Sequence, residues 1–140
     1  MPYDPMLVKP MRDEAVALGA KELMNAADVD AFLKAGPGTA VLLVNSVCGC
    51  AAGGARPGLK MALQSLIKPD RVGTVFAGQD VDAVKRAREH FGTNPPSSPA
   101  IAFFRDGKLG KLIQRWEIEG RMPNQIADAV KTAFEAVAKG

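Results

Sequence analysis

This sequence is short of several residue types, and each shortage narrows what the chain can do. Its 140 residues include two cysteines, one histidine, one tryptophan and one tyrosine. Two cysteines cannot build the multi-bridge framework of a small secreted domain, and Cys48 and Cys50 lie too close together to staple distant parts of a fold. His90, the only histidine, does not complete a closed zinc site with them, so no metal is expected. Few aromatic rings are available to stack on bases, and 18 basic against 15 acidic side chains leave only +3, so nucleic acid is not an expected partner. The apolar runs are also short. Ala40 to Val44 falls far below the roughly 20 residues of a membrane helix, and Asp4, Lys9, Arg12, Asp13 and Glu14 interrupt any signal-peptide core. A cytoplasmic protein with no membrane partner is the expectation. One shortage is local: no carboxylate occurs between Asp30 and Asp70, whereas Lys34, Arg56, Lys60 and Lys68 do. The cysteines sit inside that window.

What is present suits an ordinary globular domain. Apolar residues make up 47% and charged residues 24%, with 14 glycines and 10 prolines scattered along the chain. A chain of this length buries roughly two-thirds of its unfolded surface around one core, so a single domain over 1–140 is expected. Periodicity assigns Met6 to Leu18 to a helix with Leu7, Met11, Ala15 and Leu18 on one stripe. Asn25 caps a second helix carrying Val29, Phe32 and Leu33, broken by Pro37 and Gly38. These helices, within 1–38, are expected to pack on a sheet. Ala40 to Val44 is apolar throughout and partly β-branched, as for a central strand covered on both faces.

From Gly49 the pattern turns helical, with Leu59, Ala62, Leu63, Leu66 and Ile67 on one face. Pro57 implies either a kink or the start of the regular helix. Val72 to Phe76 forms the next strand, and Asp80 caps a helix using Val81, Val84 and Phe91. After a loop with three prolines, Ala100 to Phe104 and Leu109 to Ile118 read as a hairpin turning at Asp106-Gly107. Trp116 reads as a packing residue of that hairpin. A last helix begins at Pro123, with Ile126, Ala127, Val130, Phe134 and Val137 facing inward. From Ala40 the order is strand, helix, strand, helix, strand, strand, helix: an α/β chain with one right-handed crossover followed by a hairpin and a covering helix.

Cys48-Gly49-Cys50 follows a buried strand and opens a helix, where unpaired backbone N–H groups and the helix dipole favour a thiolate. A thiol of pKa about 8.5 is only about 3% ionised at pH 7, and lowering it by roughly 1.5 units makes it about half ionised. A disulfide across one intervening residue is expected to be strained and oxidising, with Gly49 unobstructive and free to take unusual backbone angles. Buried, inert cysteines are the competing reading for a bare Cys-x-Cys. Arg56 and Lys60 have two open readings, attraction of an anionic thiol or solvated cations on a helix face. Asn45 and Ser46 likewise read either as hydrogen-bond partners near the thiolate or as turn polarity.

The segment Asn45-Ser-Val-Cys-Gly-Cys-Ala-Ala-Gly-Gly-Ala-Arg-Pro57, with Ser97-Ser-Pro99 before Ala-Ile-Ala-Phe-Phe-Arg-Asp-Gly107 and with Glu117-Ile-Glu-Gly-Arg121, resembles the bacilliredoxin family over nearly the whole chain. The resemblance implies a thioredoxin-like three-layer sandwich, a central mixed β-sheet flanked by helices, here with an N-terminal helical extension. It implies a cytoplasmic thiol–disulfide oxidoreductase that reduces mixed disulfides between protein cysteines and bacillithiol, with weak disulfide isomerase activity. Bacillithiol would serve as co-substrate with no bound cofactor, thiolated client proteins as partners, and a small thiol or a reductase for recycling. Cys48 would attack and Cys50 resolve, and Pro99 would be the cis proline facing the site. Ser98, Gly49, Asn45 and Arg56 complete the candidate substrate-binding set, while Glu117 and Arg121 match the family without an evident chemical role. The alternative from another class is a non-catalytic adaptor that holds a partner through the same thiols.

Overall fold

The structure, a computed structural model, describes residues 3–139, so the extreme ends of the expected 1–140 domain lie outside it. Helix α1 (Pro5–Ala17) leads to strand β1 (Lys21–Glu22), helix α2 (Ala26–Leu33) and strand β2 (Thr39–Asn45). Helix α3 (Arg56–Met61) is flanked by wider π-helical turns at Ala51–Ala55 and Ala62–Leu66. Then follow β3 (Arg71–Phe76), α4 (Val81–Glu89), β4 (Ala100–Arg105), β5 (Lys108–Ile113), α5 (Arg115–Ile118) and α6 (Pro123–Lys139). The sheet order is β1-β3-β2-β4-β5. β1 and β2 run parallel to β3, while β4 is antiparallel to both β2 and β5.

Every residue of β2 is buried, which is why its sequence shows no polar alternation. The period of two still sorts its side chains. Val41 and Leu43 join Ile101 and Phe103 of β4 in a core with Ala15, Leu59 and Ile126, whereas Ala40, Leu42 and Val44 join Ala102 and Phe104 in a core with Val29, Phe32 and Val84. Thus α1, α3 and α6 cover one face and α2 and α4 the other. The two N-terminal helices do not form one appendage: they reach opposite faces, and β1 between them adds an edge strand too short for periodicity to reveal.

Several expectations are corrected in detail. On α1 the buried residues are Val8 and Ala15, and Leu7 is exposed. Asp80 precedes α4, but its carboxylate takes a two-pronged hydrogen bond from Arg12 (2.9 and 2.7 Å) instead of capping the helix, and Val81 is exposed. The hairpin turns at Asp106 (φ 52°) and Gly107 (φ 81°) as the type I′ signal requires. Its return strand stops at Ile113, because Gln114 and Glu117 form a capping box that starts α5. Trp116 therefore lies exposed on a helical turn and packs no hairpin. Pro57 sits in the first turn of α3, so the regular helix begins there. Gly54 and Gly58 let α3 lie close against α6, since a Cβ at Gly58 would come within 2.6 Å of Ile126 Cγ2 and 3.2 Å of the Pro123 carbonyl.

Candidate active site

Strand β2 ends at Asn45, and the chain turns through Ser46 and Val47 into a helical run at Gly49. Cys48 occupies the cap of that run, its carbonyl accepting from the N–H groups of Ala51 (3.0 Å) and Ala52 (3.3 Å). Its sulfur takes the place of a capping oxygen: the Cys50 backbone N–H donates to Cys48 Sγ at 3.2 Å. Both cysteines are free and half-buried, and Gly49 between them is exposed. Gly49 adopts no positive φ, and a Cβ there would meet nothing within 4 Å. Its expected backbone freedom is thus not used in this reduced state. What glycine leaves is open space at the exposed position between the two cysteines.

The two thiols are held in opposite senses. For Cys48, burial is the largest single influence and pushes the pKa up, but it is outweighed by the Cys50 N–H and thiol, the Ala51 N–H and the charge of Arg115, so the thiol lies below its ordinary range. For Cys50, burial, its hydrogen bond to Cys48 and the Cys48 charge push the thiol above that range, with Arg115 opposing and Glu119 adding to the rise. The contrast follows from the backbone: the amides that favour an anion serve Cys48, and the charge they stabilise there opposes ionisation of Cys50.

Beneath the loop lies a buried polar network. The Arg56 guanidinium, 3% exposed, donates to Asn45 Oδ1 (2.8 Å) and to the Ser46 carbonyl (3.1 Å). Asn45 Oδ1 also accepts from Ser46 N–H, Asn45 Nδ2 donates to the Met11 carbonyl, and Ser46 Oγ accepts from Cys48 N–H (3.0 Å). Arg56 Nε stands 3.2 Å from Glu14 Oε2 without hydrogen-bond alignment. This corrects the expected role of two candidates. Asn45 and Arg56 are too deeply buried to touch a substrate, and they set the position of the Cys48 turn from below. Lys60 is the solvated cation of the pair.

The Ser98–Pro99 peptide bond is cis and Pro99 is buried. Ala100 pairs with Val44 across β4 and β2, so Ser98 and Pro99 lie at the same sheet end as the Cys48 turn. Ser97 and Ser98 are tied to α5: Ser97 Oγ donates to Gln114 Oε1 (2.6 Å) and accepts from Arg115 N–H (3.2 Å), and Arg115 Nη1 donates to the Ser98 carbonyl (3.3 Å). Arg115 pairs through Nε with Glu119. Sequence reasoning missed Arg115 because its segment read as strand, and the one legible signal was the Gln114 and Glu117 pairing. Glu117 acquires a role as the cap of α5, its carboxylate accepting from Gln114 N–H (2.8 Å).

Among the described residues no group of three or more histidine, cysteine or acidic side chains could hold a metal, and no helix is long and apolar enough to cross a membrane. The fold is similar to yeast mitochondrial thioredoxin 3 in its oxidised form (TM-score 0.57, 18% identity, 87% of this chain and 97% of that one). It is also similar to thioredoxin f from spinach chloroplast (TM-score 0.58, 16% identity, 92% and 94%). In sequence the chain is 47% identical to a bacilliredoxin of Cytophaga hutchinsonii, covering 95% of this chain and 98% of that protein. It is 46% identical to one of Geobacillus kaustophilus, covering 92% and 88%. Residues 3–138 match the family described as Disulphide isomerase. With that match, bacilliredoxin relatives over almost its full length and a thioredoxin fold, this chain belongs to the disulphide isomerase family of bacilliredoxins and is a thiol–disulfide oxidoreductase.

Proposed function

We propose that this protein reduces mixed disulfides between protein cysteines and a low-molecular-weight thiol, bacillithiol by kinship, in the cytoplasm. The observation that carries the reading is the Cys50 N–H directed at Cys48 Sγ, which makes one sulfur of the pair the better nucleophile. Cys48 thiolate attacks the small-thiol sulfur of the mixed disulfide, the S–S bond breaks, and the client leaves as a thiolate that takes a proton from water. Cys50 then loses its proton and attacks Cys48, releasing the small thiol and closing the Cys48–Cys50 disulfide. Two enzyme thiols have been oxidised and one disulfide reduced to two thiols. A further thiol or a reductase restores the dithiol. Gly49 leaves room for the client, and the Ser98–Pro99 segment lines the same end of the sheet.

The test is turnover. A model protein thiolated on one cysteine should release its small thiol over many cycles when a reductant is supplied, and release limited to one equivalent per enzyme would favour the adaptor reading. The family description favours a second reading as disulfide isomerase. Recovery of a scrambled multi-disulfide protein faster than dethiolation of the model protein would make isomerisation the main role.

A further inference from the structure

Helix α4 carries a guanidinium with no carboxylate to answer it. Arg12 pairs with Asp80, Arg86 with Asp30 and Arg115 with Glu119. Arg88 is half-buried yet forms no ion pair among the described residues: Nη2 donates to the Ser97 carbonyl (3.3 Å), and Nε is sealed from solvent without a partner. Burial pulls its pKa down, with no nearby carboxylate to oppose it. The same side chain lines a cavity of about 540 Å³ with Gly78, Val81, Val84, Lys85 and Glu89. Val81, Lys85 and Arg88 recur at i, i+4 and i+7, so they share one face of α4. The Glu89 carboxylate is taken by Arg86 (3.2 Å), and Lys85 has no ion pair among the described residues. The cavity therefore presents apolar walls and unanswered positive charge. Gly78 follows β3, whose Phe76 pairs with Asn45 at the end of β2, and Ser97 stands just before the Ser98–Pro99 bond. The cavity thus borders the sheet end that carries the Cys48 turn.

A half-buried guanidinium without a counterion costs the folded chain free energy, and a carboxylate entering the cavity offsets that cost through charge-assisted hydrogen bonds. Charge complementarity thus calls for an anionic occupant. The apolar wall calls for more than an inorganic ion, since Val81 is 63% exposed and a bare anion leaves it wet. We propose that this cavity docks an acidic segment of the client protein, with a Glu or Asp carboxylate on Arg88 beside Lys85 and a neighbouring aliphatic side chain against Val81 and Val84. This rests on the dethiolation reading and names the chemistry of the protein partner. No bond is made or broken in the cavity. The contact anchors the client beside Ser97 and Pro99 while exchange proceeds at Cys48, so it selects among thiolated proteins by the charge near the modified cysteine.

The experiment titrates the methyl-labelled protein with two end-blocked, cysteine-free peptides that differ only in Leu-Glu against Leu-Gln, with acetate as a third probe. The Glu peptide should shift the Val81 and Val84 methyl signals and bind about tenfold more tightly than the Gln peptide. Arg88→Gln, which keeps an N–H donor but loses the charge, should abolish that preference, and Arg88→Lys should retain part of it. Val81→Glu, a change at an exposed position, puts a carboxylate on the cavity face and should weaken the Glu peptide more than the Gln peptide. High salt should narrow the difference in the unmodified protein. A preference below about twofold, one that survives Arg88→Gln, or methyl shifts confined to other parts of the chain would overturn the proposal. Acetate binding as tightly as the Glu peptide would also overturn it, by making the cavity a simple anion site. Because binding is read without thiol exchange, failure here is separate from failure of the dethiolation reading, which shows as absent turnover of a thiolated protein.

Discussion

Replacing Cys50 with serine is expected to leave the first exchange intact and stop the second, so that the protein accumulates one small thiol or one client protein in mixed disulfide on Cys48. Serine cannot attack a disulfide, and the amides that favour the Cys48 thiolate belong to the backbone, so they survive the change. Cys48→Ser should lose turnover altogether. Part of that loss is ionisation, since the Cys48 thiol lies below the ordinary range and the Cys50 thiol above it, so less of the remaining sulfur is thiolate at neutral pH. The rest is geometric, because Cys50 has no cap position and no partner to resolve an adduct formed on it. Mass spectrometry of each variant after exposure to a thiolated protein reads both outcomes, and an added external thiol should release the Cys48 adduct. A Cys50→Ser protein that turns over nearly normally in excess thiol would show that small thiols resolve the adduct and that Cys50 only modulates it.

The second large effect falls on Arg56. Arg56→Met removes the donor that serves Asn45 Oδ1 and the Ser46 carbonyl, both buried under the Cys48 turn. Ser46 N–H still serves Asn45 Oδ1, so the main cost is one orphaned buried acceptor and a loosened loop, together about 2 kcal/mol. Loss of Glu14 adds little, since that carboxylate is 45% exposed. Urea unfolding should show the drop in stability, and the Cys48 alkylation rate should fall with it because Ser46 Oγ no longer holds the Cys48 N–H in place. Unchanged stability would mean that the network is incidental to the turn.

The sheet and its helices were legible because their signals are local: the apolar run of β2, the type I′ dipeptide at Asp106-Gly107, the cap at Asn25 and the stripes of α3 and α6. β1 was not, since two residues carry no period. The end of β5 was misjudged because Leu109 to Ile118 stays semi-apolar, and only a cap made by Gln114 and Glu117 ends the strand. At the site the sequence pointed to both thiols and to Pro99. It misled on the charges. The carboxylate-free stretch between Asp30 and Asp70 is a feature of the chain and not of the space around Cys48: Glu14 arrives from α1 beneath the loop, and Arg115 with Glu119 arrives from the α5 region. Arg56, the nearest cation in sequence, went under the site because its long side chain crosses from α3 to satisfy the end of β2.

The division of labour between the sulfurs is tested most directly by pH-dependent alkylation of the two single-cysteine variants. Reaction follows the thiolate, so each rate falls as pH drops through that thiol's own pKa. With Cys48 held below the ordinary thiol range and Cys50 above it, the Cys48-only protein should keep reacting well into the range where the Cys50-only protein has fallen silent. The Cys50-only profile loses the influence of its partner's charge and should move toward an ordinary thiol, yet remain above the Cys48 midpoint. Superimposable profiles, or a lower midpoint for Cys50, would contradict the assignment of Cys48 as the attacking thiol.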